Sequence, residues 1–149
     1  MKIAVGSDHA GFTLKEDVAA LLRQQGHAVV DVGTHSTAPV DYPDSAEALA
    51  LAVREGKAER GVLICGSGVG ASVAANKLPG VRAAICHDTY SAHQGVEHDD
   101  MNVLVLGGRV VGGALAAELV RAFVAARYTA EERHARRLAK VISIESRYR

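Results

Sequence analysis

The chain has 149 residues, 48% of them hydrophobic, and a mean hydropathy of +0.07, which is enough for one core and one domain spanning 1–149. Basic and acidic side chains both number 17, a balance that argues against a general nucleic-acid binder or a membrane-surface protein. The opening MKIAVGSDHAG lacks the basic and long apolar segments of a signal peptide, and no apolar run nears the roughly 20 residues that span a bilayer, so a cytoplasmic protein is expected.

Lys2 to Gly6 reads as a strand, followed by the polar turn Ser7-Asp8-His9-Ala10-Gly11. Leu14, Val18, Leu21 and Leu22 recur at helical spacing, with Lys15, Glu16, Asp17 and Arg23 between them, and Gly26 ends that helix. Ala28 to Val32 is a second strand, and Gly33 to Asp44 a loop containing Tyr42. A second helix opens at Pro43, carries Ala46, Leu49, Ala50 and Val53 on its apolar face, and closes at Gly56.

Val62, Leu63 and Ile64 form the apolar run of a buried parallel strand. It runs through Cys65 into Gly66-Ser67-Gly68-Val69-Gly70 and a short Ala-rich helix. Pro79-Gly80 forces a turn, Val81 to Cys86 makes a fourth strand, and a helix from His87 to Glu97 gives way to a polar turn, His98-Asp99-Asp100. Val103 to Leu106 is the fifth strand. Gly107-Gly108-Arg109 leads into a helix with Leu115, Leu119, Phe123 and Ala126 on one face, and a final helix begins near Glu131. Strands alternating with helices predict a three-layer α/β/α sandwich around a five-stranded parallel, Rossmann-like sheet, with an extended C-terminal helical arm over 131–149.

Ligands of such sheets bind beyond the carboxyl ends of the strands. Asp8, His9, Cys65, the glycine loop and His98 all lie near strand ends, so one rim is expected to gather them. Cys65 alone also fits a small buried hydrophobe. The glycine loop and helix start that follow it favour a thiolate able to take a proton. Cys86 has no such loop and is expected to be structural, and neither cysteine belongs to a CxxC pair or suggests a zinc site. Reduced thiols are the expectation for both.

Gly66 to Ala71 also fits G-x-G-x-x-G/A, with Asp88 about twenty residues on, so a small nucleotide-binding module is a competing reading. Against it, Pro79 cuts the following helix short and no second domain holds a hydride acceptor. The histidines His9 and His98 fit exposed turns as well as proton shuttles or, for His9, a phosphate cation. At the far end, residues 127–149 carry 7 basic and 3 acidic side chains, whereas 1–126 carry 10 and 14. Arg133, Arg136, Arg137 and Lys140 share one helical face with no matching acidic stripe, either a solvated face or a phosphate-binding one. The patch is too small and too poor in aromatics for nucleic acid.

In their order and spacing, Gly6-Ser7-Asp8-His9-Ala10-Gly11, Asp41-Tyr42-Pro43, Ile64-Cys65-Gly66-Ser67-Gly68-Val69-Gly70, Ala75-Asn76-Lys77, Asn102-Val103-Leu104, Gly108-Arg109-Val110-Val111-Gly112 and Arg133-His134 resemble the type B ribose 5-phosphate isomerase family. That family also includes galactose 6-phosphate and allose 6-phosphate isomerases. The resemblance spans nearly the whole chain. It implies interconversion of an aldose phosphate and its ketose without metal or other cofactor, ribose 5-phosphate first, with tetrose 4-phosphate, allose 6-phosphate and galactose 6-phosphate as alternatives. It further implies that His98 helps open the sugar ring and that Cys65 carries a proton between C1 and C2 through a cis-enediolate. Ser67 would assist proton movement at the oxygens, and the N–H groups of Gly66, Ser67, Gly68, Val69 and Gly70 would stabilise the oxyanion. Asp8 and Tyr42 would line the sugar pocket, and His9, Arg109, Arg133 and Arg137 would bind phosphate.

Homodimers with shared sites, pairing in some cases into tetramers, are implied as well, the arm reaching the neighbouring subunit. A catalytically silent sugar-phosphate sensor is a third reading, opposed by the presence of both Cys65 and His98. One position departs from the family pattern: Asp99 stands where asparagine is common. An ionised carboxylate beside an enediolate opposes the charge that forms there, whereas an amide donates a hydrogen bond. Either Asp99 is protonated or turned away, or the preferred sugar presents a different group.

Overall fold

The computed structural model describes Met1–Arg149. Five parallel strands form one sheet: β1 (Lys2–Ser7), β2 (Ala28–Asp31), β3 (Arg60–Cys65), β4 (Ala83–Ile85) and β5 (Val103–Gly107), in the order β2-β1-β3-β5-β4. The helices are α1 (Phe12–Gln24), α2 (Tyr42–Arg54), α3 (Val69–Ala75), α4 (Thr89–Asp99), α5 (Gly113–Ala125) and α6 (Glu132–Arg147). This is the expected three-layer α/β/α sandwich with its C-terminal helix.

Side chains alternate across each strand, so the sheet divides the core in two. Ile3, Val5, Val62, Ile64, Leu104 and Leu106 pack beneath α1, α4 and α5 with Val18, Leu22, Val96, Leu119 and Phe123. Ala4, Leu63, Cys65, Val103 and Val105 pack on the other face with Leu49, Val53, Ala71 and Ala75 of α2 and α3. Burial on both faces explains the near-continuous apolar strands, and each fully buried Leu or Ile contributes about 1.5–3 kcal/mol.

Strand order reverses beside β1: the chain first moves out to β2, then returns to the other side as β3. The crevice between the carboxyl ends of β1 and β3 is therefore the topological switch point, the usual ligand position of such sheets. Backbone contacts there are close. The Asp8 N–H donates to Ile64 O at 3.3 Å, and a Cβ at Gly11 would lie 2.4 Å from that same carbonyl oxygen. Only glycine fits that approach.

The structure corrects three local expectations. Lys15, read as a surface charge between apolar positions, is fully buried, because its Nζ reaches Asp31 at the end of β2 at 2.8 Å from both carboxylate oxygens. Leu115 is 38% exposed, and α5 buries Ala116, Leu119, Val120, Phe123 and Val124 instead. Finally, α4 does not stop at Glu97 but continues through His98 and Asp99, ending on Asp100 in the left-handed conformation (φ 51°). There the Asp100 and Met101 N–H groups bond Val96 O and Gly95 O, closing the helix as a glycine cap would.

That third correction has a topological consequence. A helix joining two parallel strands must run back to the starting edge of the sheet. His98, four residues before the end of the α4–β5 connection, therefore lies at the amino rim, opposite Cys65. The expectation that one rim of one chain gathers both residues is wrong.

Candidate active site

Seven of the predicted site residues converge at the switch point. Asp8, Tyr42, Cys65, Gly66, Ser67, Gly70 and Arg109, with Val110, line a pocket of about 370 Å³. Cys65 ends β3 and is 5% exposed, and its Sγ accepts the Gly68 N–H at 3.1 Å. Gly68 adopts φ 86°, which turns the loop back so that this amide points at the sulfur. Exposed Ser67 uses its Oγ to accept the Val69 N–H at 3.2 Å.

The walls follow from neighbouring loops. Asp8 is 7% exposed, and its Oδ1 accepts the Gly11 N–H at 3.1 Å, closing a 3-10 turn over His9–Gly11. Tyr42 opens α2 and lays its ring over Gly70, where an added Cβ would meet the ring at 2.6 Å. Arg109 follows β5, its side chain beside Gly66. The Gly108 N–H donates to Cys65 O at 2.7 Å and the Arg109 N–H to Gly66 O at 3.0 Å, so the β5 loop is laced to the thiol loop.

The other predicted residues fall outside this pocket. His9 Nδ1 accepts the Val40 N–H at 3.1 Å. Gly68 is buried beneath the loop, and Val69 is 57% exposed at the start of α3. His98, Asp99, Arg133 and Arg137 form a second group on α4 and α6. The His98 ring stacks on His134 with centroids 4.0 Å apart, and Asp99 and Arg137 line a separate cleft of about 800 Å³ between α6 and the body. The basic face of α6 is also less bare than its sequence suggests: Arg133 pairs with Glu131 at 3.3 Å and Arg136 with Glu132 at 2.8 Å, while Arg137 makes no ion pair.

Cys86 is buried beside Met101, and burial, then the Asp88 charge, pushes its thiol up to about 11. Asp88, the acid of the competing nucleotide fingerprint, accepts the Ser91 N–H at 2.7 Å and so caps α4. Sequence reasoning assigned no role to His134, quoted only as a landmark of the resemblance, or to Gln94 and His87. His87 Nε2 accepts the Gly107 N–H at 3.1 Å and ties β4 to β5. Of these, His134 is the one buried residue of α6.

A thiol with a backbone donor, a buried carboxylate and an arginine at the switch point of a parallel sheet is the layout of a small-molecule enzyme of the α/β class. The Ribose/Galactose Isomerase family model matches residues 3–141. Ribose-5-phosphate isomerase B of Escherichia coli (strain K12) is 47% identical over 146 residues, 98% of this chain and 97% of that protein. The D-erythrulose-4-phosphate isomerase of Pectobacterium atrosepticum is 42% identical over 130 residues, 86% of this chain and 85% of its own. The solved structure of Clostridium thermocellum ribose-5-phosphate isomerase B superposes with a TM-score of 0.97 at 47% identity, covering 100% of both chains. The chain belongs to the ribose/galactose isomerase family and is an aldose–ketose isomerase. Membership displaces the nucleotide-module reading.

Proposed function

We propose that this isomerase interconverts ribose 5-phosphate and ribulose 5-phosphate, with Cys65 as the base, in a homodimer whose subunits share each site. The observation that carries this is the Cys65 sulfur, held under the Gly68 N–H in a pocket bounded by Asp8, Tyr42 and Arg109. Proton abstraction beside a carbonyl needs a positioned base and preorganised donors for the developing oxyanion. Cys65 takes the proton from C2 of the open aldose as its electrons move into a C1–C2 enediolate. Delivery of that proton to C1 then completes the ketose. The loop N–H groups of Gly66, Ser67 and Gly70 face the oxygen charge, those of Gly68 and Val69 being taken by Cys65 Sγ and Ser67 Oγ, and Ser67 relays the hydroxyl proton.

Ring opening comes first: the anomeric hydroxyl loses its proton as the C1–O4 bond breaks, and O4 regains one. His98 performs this exchange, but from the partner subunit. Cys65 at the carboxyl rim and His98 at the amino rim cannot meet within one chain. A second copy that brings its His98, Arg133 and Arg137 to the Cys65 pocket completes the site, with His9 and Arg109 on the other side of the phosphate. The cleft along α6 supports such a partner, because Val141, Ile142 and Ile144 are 53%, 46% and 52% exposed on the arm. Arg137, which makes no ion pair, rather than Arg136, which holds both oxygens of Glu132, is the phosphate ligand, and Arg133 would exchange its single 3.3 Å contact with Glu131 for the phosphate.

Cys65→Ala tests the base. Isomerisation should fall by at least about 10³-fold, within the range of lost acid–base catalysis. Calorimetry should show ribose 5-phosphate still bound and NAD and ATP not bound. Retention of most activity would remove Cys65 from the role.

A further inference from the structure

We propose that His134 is a positioning residue for His98, supplied by the C-terminal arm to hold the His98 imidazole in the one orientation in which Gln94 reaches its Nδ1 and fixes the tautomer. The inference rests on the reading of His98 as the ring-opening group. Its basis is a small cluster at the junction of α4 and α6. The two rings lie 4.0 Å apart at an interplanar angle of 25°, a stacked pair. His134 is 2% exposed and is the one buried residue of α6. The arm spends its single buried position on an imidazole laid against His98.

The hydrogen bonds fix the pair further. Thr129 Oγ1 lies 2.7 Å from His134 Nδ1 and 3.1 Å from Glu97 O, while the Thr129 N–H donates to the same carbonyl at 3.0 Å. A hydroxyl has one hydrogen to give. With that hydrogen on Glu97 O, Thr129 accepts from His134, whose ring proton therefore sits on Nδ1. Glu97 belongs to the last turn of α4, the turn that carries His98. His134 is thus anchored to the frame of the group it supports. On the other side, Gln94 Nε2 lies 2.9 Å from His98 Nδ1. With the amide N–H donating, neutral His98 carries its proton on Nε2, the nitrogen left free for a substrate oxygen.

The charged groups facing His134 are His98 from α4 and Glu131, Arg133 and Arg137 from its own segment. Burial, then the His98 charge, holds the His134 imidazole below its ordinary value of 6.5. A neutral plane can stack on His98 whether or not His98 is protonated. Because Arg133 and Arg137 stand at i−1 and i+3 from His134, seating one buried ring also places both phosphate-binding candidates relative to His98.

The test separates ring opening from proton transfer. Ribose 5-phosphate exists as a furanose, whereas ribulose 5-phosphate cannot close because its 5-oxygen carries the phosphate. Forward isomerisation needs ring opening, and solvent-deuterium entry at C1 of ribulose 5-phosphate does not. His134→Asn and Thr129→Val should lower forward kcat about tenfold, part of the usual acid–base contribution, with C1 exchange changed less than about twofold. His134→Phe, which keeps the stacked plane, should retain more forward activity than His134→Asn. Nitrogen-15 spectra of His98 should show the Nε2–H tautomer in the wild type and a mixture in His134→Asn.

Equal losses in both reactions, or an unchanged His98 tautomer, would overturn the inference in favour of a merely structural His134. His98→Ala is the control for the underlying reading. If it slows both reactions alike, the ring-opening role of His98 fails and this inference fails with it. If it spares C1 exchange but His134→Asn lowers neither forward kcat nor tautomer purity, only the positioning role is lost. Should His134→Asn not fold, Thr129→Val, which leaves both rings in place, decides by the same measurements.

Discussion

Asp99 is the residue whose chemistry bears most on substrate choice. It ends α4 one position after His98, is exposed, and lines the α6 cleft together with Arg137. In the shared site it would travel with His98 toward the sugar of the partner subunit. A carboxylate there repels a developing enediolate, whereas an amide of the same size donates a hydrogen bond to it. Asp99→Asn should raise kcat/KM for ribose 5-phosphate about 10²-fold, the scale of one oxyanion hydrogen bond, and change its rank against tetrose and hexose phosphates where those sugars present a different group to Asp99. A substrate ranking unchanged across the three sugar lengths would show that Asp99 does not set specificity.

Between elements, the Lys15–Asp31 pair fastens α1 to the end of β2. Lys15 Nζ is fully buried, also touches Glu16 Oε1 at 3.1 Å, and lies 5.4 Å from the centre of the Phe12 ring. Asp31 also accepts the Gly33 N–H at 2.9 Å, and Gly33 O accepts the Ser7 N–H at 2.7 Å, so the pair braces the strand that presents Asp8. Burial alone would raise the Asp31 carboxyl, but the Lys15 hydrogen bond, the Gly33 N–H and the Lys15 charge together hold it below its ordinary value of 3.8. Lys15→Met keeps the packing and strands a partly buried carboxylate, a loss of about 3 kcal/mol in urea unfolding at neutral pH. Because the folded value is depressed, the pair's contribution is complete above pH 3.8 and disappears as pH falls through the lower folded value. Urea midpoints of wild type and variant should therefore converge in acid, and a gap independent of pH would mean that the loss is packing alone.

For the whole molecule, the separation of the proposed base Cys65 and the proposed ring-opening His98 onto opposite rims makes a definite prediction about subunits. The arm does not swing freely: Glu145 accepts the Gly80 N–H at 3.2 Å, and Arg149 donates to Lys77 O and pairs with Glu145. It is thereby held over its own α3–β4 turn, with its apolar side facing the cleft. In a shared-site dimer, Cys65→Ala and His98→Ala each inactivate both sites. Unfolding and refolding the two variants together gives half the dimers one intact site, so about one quarter of wild-type activity should return if pairing is statistical. No recovery, with mixed dimers verified by mass, would place Cys65 and His98 in independent sites.

Much of this was legible in the sequence because it depends on local order. Val62–Ile64 with its neighbours β1 and β5 reads as buried parallel strand from composition alone, and the alternation of strands and helices dictates a parallel sheet covered on both faces. The thiol and its glycine loop are contiguous, so a base beside an oxyanion loop could be proposed from a single stretch. What tertiary structure decided is what depends on distant contacts and on direction. Lys15 looks like surface until Asp31 lies beside it, and His134 looks like one more polar residue of the arm until its ring is found buried on His98. His98 itself was singled out as a candidate, but its rim was not: sequence marks the end of a helix without saying which edge of the sheet it reaches. The return path of α4 decides that, carrying His98 away from the Cys65 of its own chain.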